Sequence, residues 1–395
     1  MYVLHRNIWK FTTIVLALFM VIGGILFVCR NYLFMHSFEI ADELGGNIFP
    51  STILSTAATD AEIIVPADSN YVGKPLSGVA IKVKSTYANT RVQIYIAATP
   101  FFSESVSEFI LAKPNTEYYV YPEFIWNYEV LKNNVQSVPV TLAVKVILNE
   151  KELSQKTKTY SMRSVNECPL GYIDARNKFH DTSLYFAAYV NEEHPMIDQL
   201  LREALNARIV NRFTGYQGKH SQVDKQVYAL WYVLQKRNFK YSSISNTSLS
   251  SNVVFAQRVR TVEDALEAAQ INCVDGSVLF ASLLKAININ PILVRIPGHM
   301  FVGYYTDKSH KEINFLETTI IGDVNLDDFF PEEKLDSTMV GKSQLEMSYL
   351  TFKKSREYAT EKYKQNKASI HSGKVNYMFL EISKETRRKI QPIGK

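Results

Sequence analysis

The sequence lacks several features that would assign a function at once. It contains no glycine-rich loop of the kind that cradles phosphate groups, and its eight histidines include no pair at the spacing of zinc ligands. It has no nucleic-acid-binding motif and no long basic stripe, and its net charge of +5 is small for 395 residues. Internal repeats and long low-complexity segments are also missing. We therefore predict neither a cofactor nor a nucleic-acid partner.

A candidate calcium loop is incomplete. The segment DVNLDDFFPEEK at 323–334 begins with the acidic spacing of such a loop, but Asp328 replaces the sixth-position glycine. Lys334 replaces the twelfth-position glutamate, which would bind the ion through both oxygens. We therefore predict no metal site.

The composition of the whole chain, 46% hydrophobic and 21% charged, is typical of a globular protein, and the chain is long enough for two domains.

One long apolar run lies near the N-terminus. Residues 11–29 read FTTIVLALFMVIGGILFVC, nineteen residues without a charge, which at about 1.5 Å each could cross a hydrocarbon core of roughly 30 Å. Arg6 and Lys10 precede the run, and Arg30 follows it, but the next charges are Glu39, Asp42 and Glu43, so the positive-inside rule predicts a cytoplasmic N-terminus. We expect a single-pass membrane anchor with the rest of the chain outside, periplasmic or extracellular. A cleaved signal peptide is disfavoured because no small-residue cleavage site follows.

Alternating apolar and polar residues predict strands in the middle of the chain. VAIKVKS at 79–85, RVQIYIA at 91–97 and PVTLAVKVIL at 139–148 have the period of two that is typical of half-buried strands. We predict an all-β sandwich domain at 50–165. It follows an N-terminal segment at 1–45 that holds the cytoplasmic N-terminus, the transmembrane helix and a linker.

From about residue 166 the apolar spacing becomes helical, and one helix starts at a cysteine. Apolar residues at helical spacing follow Asn272, which puts Cys273 in the first turn. There the unpaired N–H groups and the helix dipole favour a thiolate, which is the nucleophilic form of cysteine. Two other interpretations stay open, a buried small hydrophobe or a disulfide with Cys168. We expect Asp275, two residues on, to stabilise the start of the helix.

Strands after this helix carry a histidine and an acid. ILVRI at 292–296 predicts one strand, His299 stands at the head of the next, and Glu317 lies at the end of a third at 312–319. A thiol on a helix, a base on one strand and an orienting acid on the next is the arrangement that nucleophilic thiol catalysis requires.

The local sequence resembles a known family. NCVDGSVLFASLLKAININPILV, then PGHMFVGYY, then FLETT look like the core of the transglutaminase-like superfamily, over about 257–320. The resemblance implies a papain-like α+β domain at 166–395, in a bacterial-type membrane-anchored member, with Cys273 as nucleophile, His299 as general base and Glu317 as orienting acid. Glu317 departs from the family pattern, which usually has aspartate at this position, and its side chain is one methylene longer.

The resemblance implies acyl transfer. We expect a thiol enzyme that attacks a carboxamide of a protein or peptide and forms a thioester on Cys273, which water resolves as a peptidase or amidase does, or an amine resolves as a crosslinking enzyme does. The Cys273 N–H would bind the oxyanion, together with a side-chain amide for which Gln257 is a candidate. The alternative is a catalytically inactive module that binds or scaffolds a protein partner at the cell envelope.

Overall fold

The computed structural model describes residues 14–27, 37–59, 61, 64–66, 69–217, 220–242, 249, 251–322 and 325–394. The chain forms two compact units. The first takes its described residues from 1–42, 66–127 and 139–160, and the second takes its own from 43–65, 128–138 and 161–395. The short segments 43–65 and 128–138 thus belong to the unit that holds the C-terminal half of the chain.

The helices are α1 (14–27), α2 (Pro50–Thr56), α3 (Tyr128–Lys132), α4 (Pro195–Asn206), α5 (His220–Lys236), α6 (Val262–Ala268), α7 (Cys273–Ala286), α8 (Leu335–Met339), α9 (Gln344–Ile370) and α10 (Lys384–Lys389). Three 3₁₀ turns cover Ser183–Tyr189, Thr318–Ile321 and Leu326–Asp328. The strands are β1 (Phe38–Asp42), β2 (Asn47–Ile48), β3 (Tyr71–Gly73), β4 (Val79–Ser85), β5 (Thr90–Ile96), β6 (Phe102–Ser103), β7 (Ser105–Leu111), β8 (Thr116–Tyr121), β9 (Ile125–Trp126), β10 (Val138–Leu148), β11 (Lys151–Met162), β12 (Glu167–Ile173), β13 (Phe179–Asp181), β14 (Lys240–Tyr241), β15 (Val254–Arg258), β16 (Gln270–Ile271), β17 (Pro291–Ile296), β18 (His299–Tyr305), β19 (Ile313–Leu316) and β20 (Met378–Glu381).

The N-terminal helix does not support the expected membrane anchor. Of the predicted span 11–29, residues 11–13 and 28–29 lie outside the described residues, and α1 covers the rest. None of the helices in the described ranges is long and apolar enough to cross a membrane. The prediction of a single-pass membrane protein, with the localisation derived from it, is therefore wrong.

Two main β-sheets build the first unit. One has the order β1-β4-β8-β3, with β4 antiparallel to β1 and β8 and with β3 parallel to β8. In the other, β11, β10, β5 and β7 are neighbours in that order. Every second residue of β5 is buried, as a strand with one face on a core requires. The strands predicted at 79–85, 91–97 and 139–148 are confirmed to within one residue.

A four-stranded antiparallel sheet, β19-β18-β17-β20, lies at the centre of the second unit. Residues 300–305 of β18 are all buried, and because consecutive residues point to opposite faces, both faces of the strand are covered. Val302 belongs to the large core that includes Val278 of α7. Its neighbour Phe301 belongs to a smaller core with Ala359 of α9. The sheet therefore lies between α7 and α9, and this layering sets the positions of the candidate residues.

The predicted fold class is wrong as stated. It combined a transmembrane helix, an all-β sandwich domain and a papain-like α+β domain, whereas the described chain is a mixed α/β protein with several separate sheets. Besides the two main sheets of the first unit and the central sheet of the second, there are a three-stranded sheet, β13-β12-β15, and two-stranded sheets formed by β14 with β16 and by β6 with β9.

Candidate active site

Helix α7 begins at Cys273 because the residues on either side cap it. The Asn272 side-chain oxygen accepts hydrogen bonds from the backbone N–H groups of Val274 and Asp275, both at 2.8 Å. The Asp275 carboxylate accepts in return from the N–H of Asn272 at 3.3 Å, which completes a capping box. Cys273 is held in the first turn between these two residues. The prediction that Asp275 stabilises the helix start is confirmed.

Asp275 also fixes the segment that precedes α6. Its carboxylate accepts from the backbone N–H of Arg260 at 2.8 Å and from the Arg260 guanidinium at 2.5 Å. Burial raises the pKa of Asp275, although the contacts with Arg260 oppose that rise. All of these partners are structural, so Asp275 serves the backbone around Cys273 and not the reaction itself.

His299 is placed by a tight turn between β17 and β18. The two-residue loop Pro297–Gly298 connects the strands, and Ile296 pairs with His299 across the hairpin. Gly298 has φ +73°, the left-handed conformation that favours glycine and that a type II turn requires after proline. The imidazole side chain is 24% exposed. The ring is therefore partly open to solvent at the start of β18, where a substrate can reach it.

Glu317 is completely buried, and both of its carboxylate oxygens are occupied. Oε2 accepts from His299 Nε2 at 2.6 Å, while Oε1 accepts from the N–H and the hydroxyl of Thr319 at 3.1 and 2.7 Å. The backbone is held as well, because Glu317 N–H donates to Ser355 Oγ of α9 at 2.9 Å and Ser355 Oγ donates to Glu317 O at 3.1 Å. The longer side chain of glutamate is accommodated here by capping the 3₁₀ turn Thr318–Ile321.

His299 lies between the thiol and the carboxylate. Burial lowers the pKa of His299, but hydrogen bonds with Cys273 and Glu317, together with the charges of these two groups, raise it to about 10. The imidazole therefore keeps its proton through the neutral range. With Nε2 bound to Glu317, the other ring nitrogen is the one available to Cys273 and to a substrate.

The three predicted residues meet at one cleft. Cys273 and His299 line a cavity of about 430 Å³, and Glu317 lies behind His299. Gln257, the candidate oxyanion donor, lines the same cavity, with its side-chain amide donating to the carbonyl of Arg258 at 3.0 Å. A second cavity, of about 570 Å³ along α9, contains none of the predicted site residues.

Two cleft residues escaped the sequence analysis. Tyr241 reaches the cavity because β14 pairs in parallel with β16, just before Cys273 in the chain. Burial raises the pKa of Tyr241, and the charges of Cys273 and Glu317 raise it further. Arg295 lines the cleft from β17. The only local signal for Arg295 was a charged residue within the otherwise apolar strand ILVRI.

The disulfide interpretation of Cys273 has no counterpart in the structure. Cys168 and Cys273 are both free thiols. Cys168 is completely buried, and that burial raises the pKa of its thiol well above the ordinary range. Cys273, in contrast, is partly exposed in the cleft.

Comparison with known proteins adds no relative to this description. No protein-family model matches the chain, and neither the curated proteins nor the solved structures include a match. The account of the site therefore rests on its own geometry.

Proposed function

We propose that this protein is a thiol enzyme that transfers the acyl group of a protein or peptide carboxamide through a thioester on Cys273. The observation that carries the proposal is the position of His299, which lines the same cleft as Cys273 and hydrogen-bonds the buried Glu317 carboxylate at 2.6 Å. The resemblance of the surrounding sequence to the transglutaminase-like superfamily supports the same chemistry.

In the first half of the reaction the Cys273 sulfur attacks the carboxamide carbon. The Cys273 N–H is available to the oxyanion, since Asn272 accepts from the next two N–H groups of the helix and not from this one. The Gln257 amide could add a second hydrogen bond by leaving the carbonyl of Arg258. The C–N bond then breaks, the proton held by His299 passes to the departing amine, and the thioester remains.

The second half of the reaction releases the acyl group. Water or an amine attacks the thioester carbon, His299 takes the proton of the attacking group, and the Cys273 sulfur leaves. Water yields a carboxylic acid, so the enzyme would act as a peptidase or amidase. An amine yields a new amide, and the enzyme would then act as a crosslinking transferase. Glu317 holds the imidazole in one orientation during both halves.

The test is to incubate the full chain with peptides that contain glutamine, together with an amine donor, and to search by mass spectrometry for cleavage, deamidation or amine incorporation. We expect turnover and an acyl adduct on Cys273. Cys273→Ala should abolish both, whereas the matched control Cys168→Ala should keep them, because Cys168 does not line the cleft. Peptide binding without any adduct or turnover would contradict the proposal and favour a binding module.

A further inference from the structure

Arg295 is a buried cation for which the described residues provide no ion-pair partner. It lies on β17, between apolar residues, and only 9% of its surface is exposed. Its Nε atom is buried and has no hydrogen-bond acceptor. Such a group normally costs free energy unless a charged or polar partner compensates for the lost water. The missing partner therefore needs an explanation.

Neighbouring acids do not supply that partner. Within the described ranges no carboxylate forms an ion pair with Arg295, although the more distant charge of Asp181 attracts it. Asp181 instead accepts a hydrogen bond from the N–H of Ser183 at 2.7 Å. The Cys168 thiol is also near, but its burial keeps it neutral at ordinary pH. Burial lowers the pKa of Arg295, yet a guanidinium starts so high that it remains charged.

The charges around the cleft have one sign. Arg295 and His299 are the cations on its wall, and no aspartate or glutamate is among the described residues that line it. Glu317 lies behind the imidazole and has both oxygens engaged. A ligand that enters this cavity meets, in the cleft that Cys273 also lines, a positive charge on Arg295 that no acid of the described cleft wall compensates.

We propose that Arg295 binds a carboxylate of the substrate, so that the preferred substrate is a peptide with an acidic group beside the carboxamide that Cys273 attacks. That the bound carboxylate belongs to a substrate rests on the proposed function, whereas carboxylate binding by Arg295 rests on the cleft alone. A planar guanidinium matches a planar carboxylate through two parallel hydrogen bonds. A phosphate dianion would call for more donors than this single free guanidinium provides.

The test compares two alkylating reagents of nearly equal size on the full chain. Iodoacetate carries a carboxylate and iodoacetamide a neutral amide, and with either one the Cys273 sulfur forms a C–S bond while iodide leaves. The rate at Cys273 is followed by peptide mass spectrometry, and the ratio of the two rates cancels any change in the thiol itself. We expect Arg295→Met to lower the iodoacetate-to-iodoacetamide ratio by roughly 10- to 100-fold, the range for a lost charge-assisted hydrogen bond.

Two further variants separate recognition from general charge. Arg295→Lys keeps the charge but not the planar fork, and we expect an intermediate ratio. Arg202→Met removes an exposed arginine of α4 that does not line the cleft, and the ratio should stay that of the wild type. An equal ratio in wild type and Arg295→Met would overturn the proposal.

Protection of the wild-type thiol gives a second measurement, should Arg295→Met fail to fold. Acetate in excess should slow iodoacetamide alkylation of Cys273, and acetamide should not. Equal effects of the two would also overturn the proposal.

The source of the carboxylate is identified with two kinds of peptide in the same protection assay. Neutral dipeptides offer a free α-carboxylate, and amidated peptides offer one glutamate side chain. Protection by neither kind would overturn the proposal. Failure of all turnover would contradict only the proposed function, because alkylation does not depend on turnover.

Discussion

Gly276 of α7 lies directly against Thr318, the residue that follows Glu317. A Cβ added to Gly276 would stand 2.7 Å from Thr318 Oγ1, closer than real Cβ atoms approach, and 3.0 Å from Thr318 Cβ. The absence of a side chain at Gly276 therefore lets the helix of the thiol approach the segment of the carboxylate. This contact sets the spacing across which His299 bridges the two groups.

Gly276→Ala should push α7 away from the 3₁₀ turn. We expect a loss of about 1–3 kcal/mol in the free energy of unfolding, as overpacking of a tight contact costs, and slower alkylation of Cys273. Urea unfolding and thiol labelling measure the two effects. Thr318→Ala in the same background removes the closest atom and should restore part of both, as a double-mutant cycle would detect. If Gly276→Ala were as stable as the wild type, the close contact between α7 and Thr318 would be refuted.

His299 should control the reactivity of Cys273. Replacing it with alanine removes the protonated imidazole that hydrogen-bonds with the thiol, so iodoacetamide alkylation of Cys273 at pH 7 should slow by at least about tenfold. Cys168 provides the internal control: it is completely buried, and it should stay unlabelled in both proteins until they unfold. Equal labelling rates of Cys273 with and without His299 would show that the imidazole does not control the reactivity of the thiol.

The raised pKa of His299 predicts how stability depends on pH. The folded-state pKa of about 10 lies above the ordinary value of 6.5, so the folded protein holds this proton more tightly than the unfolded chain. The stabilisation is fully present below pH 6.5 and is lost as the pH rises through 10. The difference in unfolding free energy between wild type and His299→Gln should therefore shrink from pH 6 to pH 10. A constant difference would mean that the proton is not held in this way.

Glu317 should not be replaceable by the aspartate that is usual in the family it resembles. Its carboxylate bonds His299 and Thr319 at once, and a side chain one methylene shorter cannot keep both contacts from the same backbone position. We expect Glu317→Asp to lower the turnover rate, and Glu317→Gln to lower it by up to about 10⁴-fold by favouring the wrong imidazole tautomer. Thr319→Val is the control that removes one capping bond and leaves the contact with His299. Full activity in Glu317→Asp would refute this account.

The sequence by itself determined the local parts of the site. Asn272 and Asp275 encode a helix start at Cys273 through contacts within three residues, and Pro297–Gly298 encodes the turn before His299. The strands of the first unit were equally readable, because a period of two follows from burial of one face. These features depend on neighbours in the chain, which is why a single sequence predicts them.

Tertiary structure decided what surrounds those parts. Glu317 Oε1 is engaged by the 3₁₀ turn that this residue caps, Oε2 by His299, and the Glu317 backbone is held by Ser355, thirty-eight residues further along the chain. Tyr241 reaches the cleft through pairing of β14 with β16, and Arg295 has no ion-pair partner because none of the acids in the described ranges lies beside it. At the N-terminus a charge-free run of residues predicted a membrane span, but no helix among the described residues is long and apolar enough to make one. Contacts between distant segments follow from how helices and sheets pack, and the local sequence does not record them.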